Sequence, residues 1–242
     1  MNDEHNRLRE SLRALALSGP ASPQDTAAYT GSPHELLGVA TPGLRRLAKD
    51  WVRANRKTAP EAILRVLDTM FASALHEEKT LAALILAYSG PARAATTPTR
   101  LEAWLGDLAG WAEIDSLCSN VFQAEEFLAA WATWGPWLRR LSEDANINKR
   151  RAALVLLTGP VRYSDDPRLL ETALGNVARL QAERGILITK AVSWLLRNLT
   201  LRHRGAVAAY VAENRAALPA IAVREVTAKL ETGRKTPVRR SG

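Results

Sequence analysis

Cysteine occurs once in this 242-residue chain, at Cys118, which excludes an intramolecular disulfide and fits a reducing compartment. Long apolar runs are missing as well. Stretches such as Leu81 to Tyr88 fall far short of the roughly 20 residues that span a bilayer, and the opening Met-Asn-Asp-Glu-His lacks the basic lead of a signal peptide. A soluble cytoplasmic protein with no membrane partner is therefore expected. The four histidines, His5, His34, His76 and His203, lie far apart, and His76-Glu77-Glu78-Lys79-Thr80 lacks the second histidine of a zinc-protease helix. No zinc site is expected. Gly-x-Gly-x-x-Gly and Gly-x4-Gly-Lys-Ser/Thr are both absent, which argues against dinucleotide and P-loop enzymes, and no serine sits in a nucleophile elbow. An enzyme built from this sequence has to work with carboxylates, aromatics and arginines, without metal or cofactor.

What the chain does have is positive charge. Its 33 Lys and Arg against 25 Asp and Glu leave +8, with a pI near 10.0, and a phosphate backbone is the commonest partner of such a surface. Part of the excess lies in the final dozen residues, where Arg234, Lys235, Arg239 and Arg240 face only Glu231. With 24% charged residues and a mean hydropathy of −0.15, the chain has the balance of a folded domain rather than a disordered one.

Apolar residues recur at helical spacing along most of the sequence. Leu8, Leu12, Leu15 and Leu17 mark a helix from Asn6 to Leu17, ended by Ser18-Gly19-Pro20, and 23–29 reads as a short one. Thr41 before Pro42 reads as the N-cap and first-turn proline of a helix carrying Leu44, Leu47, Trp51 and Val52. Ala59-Pro60 opens another, with Ile63, Leu64, Val66, Leu67, Met70 and Phe71 on its inner face. His76 to Tyr88 follows, stopped by Ser89-Gly90-Pro91. Further helices are expected over 99–108, 124–140 with an interruption at Gly135-Pro136, 148–157, 166–180, 186–201, 204–213 and 219–230.

No period-two strand appears, so the chain reads as all-α. Helix pairs recurring at roughly 35 to 45 residues point to a HEAT-like or armadillo-type α-solenoid of stacked antiparallel helix pairs, with a concave basic face able to cradle a duplex. Residues 1–230 are expected to form a single HEAT-like repeat domain and 231–242 a basic, disordered tail.

The stretch from Gly110 to Phe122 is the candidate for chemistry. If it is helical, Trp111 and Asp115 stand one turn apart on one face, at the edge of a stripe formed by Ile114, Leu117, Val121 and Phe122. Alone, the pair reads first as a core tryptophan beside a solvated or capping aspartate. Trp194, among Val192, Leu195 and Leu196, reads alone as core, and Arg151 and Arg197 as solvated helix charges or ion-pair partners. Trp131, Trp134 and Trp137 read as packing between helices. The first turn at His76, Glu77 and Glu78 reads as an ordinary acidic helix start.

Four collinear stretches change that balance, because together they resemble the AlkD-type DNA alkylpurine glycosylases, a HEAT-like repeat family. Leu37-Gly38-Val39-Ala40-Thr41-Pro42-Gly43-Leu44-Arg45-Arg46-Leu47-Ala48-Lys49 is similar to the family's N-terminal signature. Trp111-Ala112-Glu113-Ile114-Asp115-Ser116 looks like the segment with its catalytic tryptophan and aspartate. Arg151-Ala152-Ala153-Leu154 resembles the segment with a DNA-contacting arginine. Lys190-Ala191-Val192-Ser193-Trp194-Leu195-Leu196-Arg197 resembles the one with a second site tryptophan and a phosphate-contacting arginine. The matches span about residues 29 to 230.

The resemblance implies catalytic roles for Asp115, Trp111 and Trp194 and DNA contacts for Arg151, Arg197, Tyr29 and Thr41, while Arg45, Arg46 and Lys49, by their charge, are candidates for phosphate. It implies a monomer acting on double-stranded DNA that contains alkylated purines. Gly110 stands where some relatives have a second tryptophan, which implies a more open site. A purine alkylated at N3 or N7 is already cationic and leaves as a neutral base, so no strong general acid is needed. Positive charge develops on the deoxyribose, which a carboxylate near C1′ and flanking indoles stabilise. Two other classes remain: a HEAT-like nucleic-acid-binding scaffold without catalysis, and a protein-binding solenoid with no salt-dependent DNA affinity.

Overall fold

The structure is a computed structural model that describes residues 3–18, 27–119 and 121–235. The Gly19-Pro20 stop, most of the helix expected over 23–29 and the tail beyond residue 235 lie outside the described residues. Among those described there is no strand, only an isolated parallel bridge between Glu35 and Leu75. The all-helical, α-solenoid expectation holds: short helices pack on others close by in the chain. Two compact units are distinguished, Met1–Val121 and Phe122–Gly242.

The first unit contains α1 (Asp3–Ser18), α2 (Ala27–Thr30), α3 (Thr41–Ala54), α4 (Pro60–Phe71), α5 (His76–Tyr88), α6 (Gly90–Ala95), α7 (Pro98–Gly106) and α8 (Gly110–Cys118). α3 packs on α5 and α5 on α8, forming one row, while α4 backs α5 and α1 lies against both α4 and α5. α3 shows why: Leu44, Ala48 and Trp51 recur at helical spacing and are buried, with Arg45, Arg46 and Lys49 left outside. The expected inner face of α4, from Ile63 to Phe71, is buried throughout. α5 is buried on nearly every side, as a central helix must be.

The second unit contains α9 (Ala124–Ala129), α10 (Trp131–Leu141), α11 (Ile147–Thr158), α12 (Pro160–Tyr163), α13 (Pro167–Leu180), α14 (Ile186–Leu199), α15 (Arg204–Glu213) and α16 (Ala220–Thr232). Here α11, α14 and α16 form the corresponding row, with α13 packed on α11 and α15 on α16. Trp134 is buried against Phe122, Phe127 and Trp137, the packing role expected of these tryptophans.

Several local expectations shift. The N-cap of α3 is Ala40, with no side-chain acceptor; Thr41 is the first helical residue, so its hydroxyl does not cap the helix. The break in 124–140 falls at Ala130, whose backbone leaves the helical region, and Pro136 is carried inside α10. Its neighbour Gly135 is needed there, because a Cβ would stand 2.7 Å from the Trp131 indole that lies across it. Ser89-Gly90-Pro91 ends α5 but at once opens α6, with Pro91 in the first turn where its missing N–H costs nothing. Short helices α6 and α12 were not expected, since pieces of four to six residues carry too little periodicity.

Candidate functional site

α8 starts at Gly110, whose φ of +74° belongs to the left-handed region that glycine adopts freely. A Cβ there would stand 2.3 Å from the carbonyl oxygen of Gly31 and 2.7 Å from that of Thr30, so no side chain fits. The space beside Gly110 is filled by the Thr30–Gly31 backbone rather than left open. This close approach brings α2 against the next residue. The Trp111 indole Nε1 donates to the Tyr29 carbonyl at 2.5 Å, and the Tyr29 ring meets the indole edge-on, centroids 5.2 Å apart.

Asp115 lies one turn further along α8, and both it and Trp111 are half-buried. They line a cleft of about 660 Å³ on the row formed by α3, α5 and α8, together with Tyr29, Thr30 and Thr41. Its other walls carry Arg45 and Lys49 from α3 and His76, Thr80 and Tyr88 from α5. The Lys49 ammonium stands 5.4 Å from the centroid of the Tyr88 ring, a cation–π contact at the cleft edge. The cleft therefore combines the Asp115 carboxylate, an indole and two cationic side chains, with Glu77 also in its lining. Arg46 points elsewhere, into a separate hollow beside Ser11 and Leu15.

Between Trp111 and Asp115, Glu113 faces inward and is fully buried. Its carboxylate accepts from Ser32 Oγ at 2.5 Å, His34 Nδ1 at 2.9 Å, His76 Nδ1 at 3.0 Å and the Ala109 N–H at 2.9 Å. Burial would raise this carboxyl, but the bonds from His76, Ser32, Ala109 and His34 outweigh it and hold the group down at about 2. The first turn of α5 is organised similarly. Glu77 accepts the N–H groups of Leu37, Gly38 and Val39, fixing the loop that leads into α3. Glu78 pairs with His5 at 2.9 Å and Arg9 at 2.5 Å on α1. Burial again works to raise Glu78, and hydrogen bonds from His5, Arg9 and Ser73 bring it to about 2. Buried Lys79 donates to the carbonyls of Phe71 at 2.5 Å and Asp107 at 2.8 Å.

In the second unit, Trp194 is the half-exposed position in a run where Ser193, Leu195 and Leu196 are buried. Arg197, one turn below Ser193, places its Nε 3.3 Å from the Glu225 carboxylate and 3.3 Å from Ser193 Oγ. Burial lowers this guanidinium and Glu225 raises it, with burial the larger effect. Arg151 is 4% exposed, and its guanidinium donates to the Leu187 carbonyl, joining α11 to the start of α14.

A family model for DNA alkylation repair enzymes matches residues 8–230. The chain belongs to the DNA alkylation repair enzyme family. A solved structure described as a predicted DNA alkylation repair enzyme from Enterococcus faecalis superposes with a TM-score of 0.64 over 85% of this chain and 93% of that one. At 18% identity that likeness speaks for the fold alone. No curated protein matches the chain significantly in sequence. Membership in the family gives the protein a role in the repair of alkylated DNA and DNA as its partner. No helix among the described residues is long and apolar enough to cross a membrane.

For a DNA alkylation repair enzyme the first unit is instructive. It brings together Tyr29, Thr41, Trp111 and Asp115 around one cleft, although they come from three separate segments. It adds Arg45 and Lys49 to that cleft and leaves Arg46 out. Glu113, Ser32, His34 and His76 had no signal in the sequence as members of one cluster. The one trace was a glutamate inside the Trp111–Asp115 stretch, on the face pointing away from both.

Proposed function

We propose that the protein is a DNA glycosylase that hydrolyses the N-glycosidic bond of cationic N3- or N7-alkylated purines in duplex DNA. Its substrates are 3-methyladenine and 7-methylguanine and extend to bulkier adducts. Water adds to C1′ of the deoxyribose while the electron pair of the C1′–N bond goes to the purine, whose positive charge it neutralises. The products are a free base, an abasic site and a proton. The observation that carries this reading is the pairing of Trp111 and Asp115 one turn apart at the edge of an open cleft that also holds Arg45 and Lys49.

Asp115 stabilises the sugar as it becomes positive and accepts the proton of the attacking water, while the Trp111 indole lies against the same sugar. A carboxylate placed against phosphates costs electrostatic energy, which a protein that merely held DNA would have no reason to bear. Arg45, Lys49 and Thr41 contact the backbone around the lesion and offset that repulsion. Tyr29 is given a DNA contact at the cleft mouth. In the second unit Trp194 is given a site role and Arg197 and Arg151 DNA contacts by the family resemblance. The cleft is open, which suits attack on the lesion without a deep base-flipping pocket.

The deciding experiment incubates the protein with duplex DNA methylated at N7 of guanine and scores released base. Free 7-methylguanine is the expected product. Tight, salt-dependent duplex binding with no base release would favour the alternative of a non-catalytic HEAT-like scaffold.

A further inference from the structure

Glu113 sits two residues from Trp111 and two from Asp115, yet its carboxylate turns away from the cleft and meets four donors from three places. Ala109 is the N-cap of its own helix, Ser32 and His34 belong to the segment after Tyr29, and His76 is the first residue of α5. That segment is the one whose Tyr29 carbonyl receives the Trp111 indole N–H and whose Thr30–Gly31 backbone abuts Gly110. One buried side chain thus ties the start of α8 to the segment after Tyr29 and to α5. Burying a carboxylate is costly, and an apolar residue of similar size would pack there without needing four aligned donors. What the carboxylate supplies is registry, because its two oxygens accept from fixed directions.

We propose that Glu113 is the positioning residue of the cleft: it fixes α8 against the Tyr29–His34 segment and α5, and so sets the orientation of the Trp111 indole and the reach of Asp115. The geometric part stands apart from the glycosylase reading, and only the rate consequence rests on it. Glutamine at this position keeps shape and size but presents an amide NH2 where Ser32 and the histidines donate to one oxygen, or where Ala109 and His34 donate to the other. Against Ala109 the NH2 sets donor against donor; against Ser32 and the histidines it obliges the hydroxyl and the imidazole Nδ1 atoms to turn from donors into acceptors, which changes the histidine tautomers.

The test uses the ¹⁵N-labelled full chain. The Trp111 indole N–H resonance is identified by its loss in Trp111→Phe, and is then followed in Glu113→Gln and Ser32→Ala. The resonance is expected to move in both, further in Glu113→Gln, while the indole signals of Trp134 and Trp137 stay in place. Single-turnover release of 7-methylguanine by Glu113→Gln is expected to fall at least about tenfold, the scale of a small misplacement of reacting groups. Duplex Kd should change by less than about threefold, leaving the loss in the chemical step. An unmoved Trp111 resonance in folded Glu113→Gln overturns the proposal, as does full excision by that variant beside an inactive Asp115→Asn. If Glu113→Gln does not fold, Ser32→Ala and His34→Gln, each leaving three donors, decide by the same two readouts. A shifted resonance with no base release by the wild-type chain would leave the positioning role intact and sink the glycosylase reading instead.

Discussion

The indole N–H of Trp111 donates to the backbone carbonyl of Tyr29, 82 positions earlier in the chain, at 2.5 Å. A main-chain acceptor cannot be removed by a side-chain substitution, so the indole of this partly exposed residue is held at its polar edge whatever residue stands at 29. The residue lines the cleft, and Asp115 stands one turn away.

From this follows the expectation for the site itself. Asp115→Asn and Trp111→Ala should each lower single-turnover base release by at least about tenfold, the scale of losing a group that acts on charge developing in the transition state. Duplex affinity should survive in both. Rates equal to the wild-type value in both variants would remove these residues from the chemistry.

Gly110→Ala should be costly for stability. The backbone at φ +74° disfavours any side chain, and the Cβ would overlap the Gly31 carbonyl at 2.3 Å. A loss of at least about 2 kcal/mol in urea unfolding is expected. Gly205→Ala, where a Cβ meets nothing within 4 Å on exposed α15, should be neutral or stabilising by up to about 1 kcal/mol.

Stability should fall in acid through two named carboxylates. Glu113 and Glu78 titrate at about 2 in the folded protein against an ordinary 4.5. Groups depressed on folding contribute fully above the unfolded value and lose that contribution as pH drops through the folded one. The window is therefore from about pH 4.5 down to about 2, with each group contributing on the order of 3 kcal/mol at neutral pH. Urea midpoints measured across that range should decline steeply for the wild-type chain. Glu78→Gln and Glu113→Gln should each start lower at pH 6 and decline less; parallel curves would count against the assignment.

Arg197→Ala probes DNA contact in the second unit. If this guanidinium neutralises one phosphate, duplex affinity falls for all sequences alike and the slope of log affinity against log salt becomes shallower by about one. An unchanged slope would confine Arg197 to its pairing with Glu225 and Ser193.

Trp134→Ala separates packing from site. The side chain is buried against Phe122, Phe127 and Trp137, so a loss of about 3–5 kcal/mol is expected in equilibrium unfolding. Where the variant is folded, its rate of base release should match the wild-type rate.

Much of the fold was legible beforehand. Repeating apolar positions placed α5 and α15 at their observed limits, and first-turn prolines marked the starts of α3 and α4. Less legible was the first turn of α5. His76-Glu77-Glu78-Lys79 has the composition of a solvated helix start, yet all four are buried, because loop 37–39, α1 and α8 cover them and supply partners.

By itself, then, the sequence determined which of the longer segments become helices and which of their faces turn inward, since both are written in local spacing, and its four collinear motifs carried the resemblance to the family. The tertiary structure alone decided that Glu113 would gather Ser32, His34 and His76, that Gly110 would lie under the Thr30–Gly31 backbone, and that Tyr29 would hold the Trp111 indole. Those outcomes depend on donors and acceptors far apart in the chain, and a polar group's partner is set by what arrives beside it, which no periodicity records.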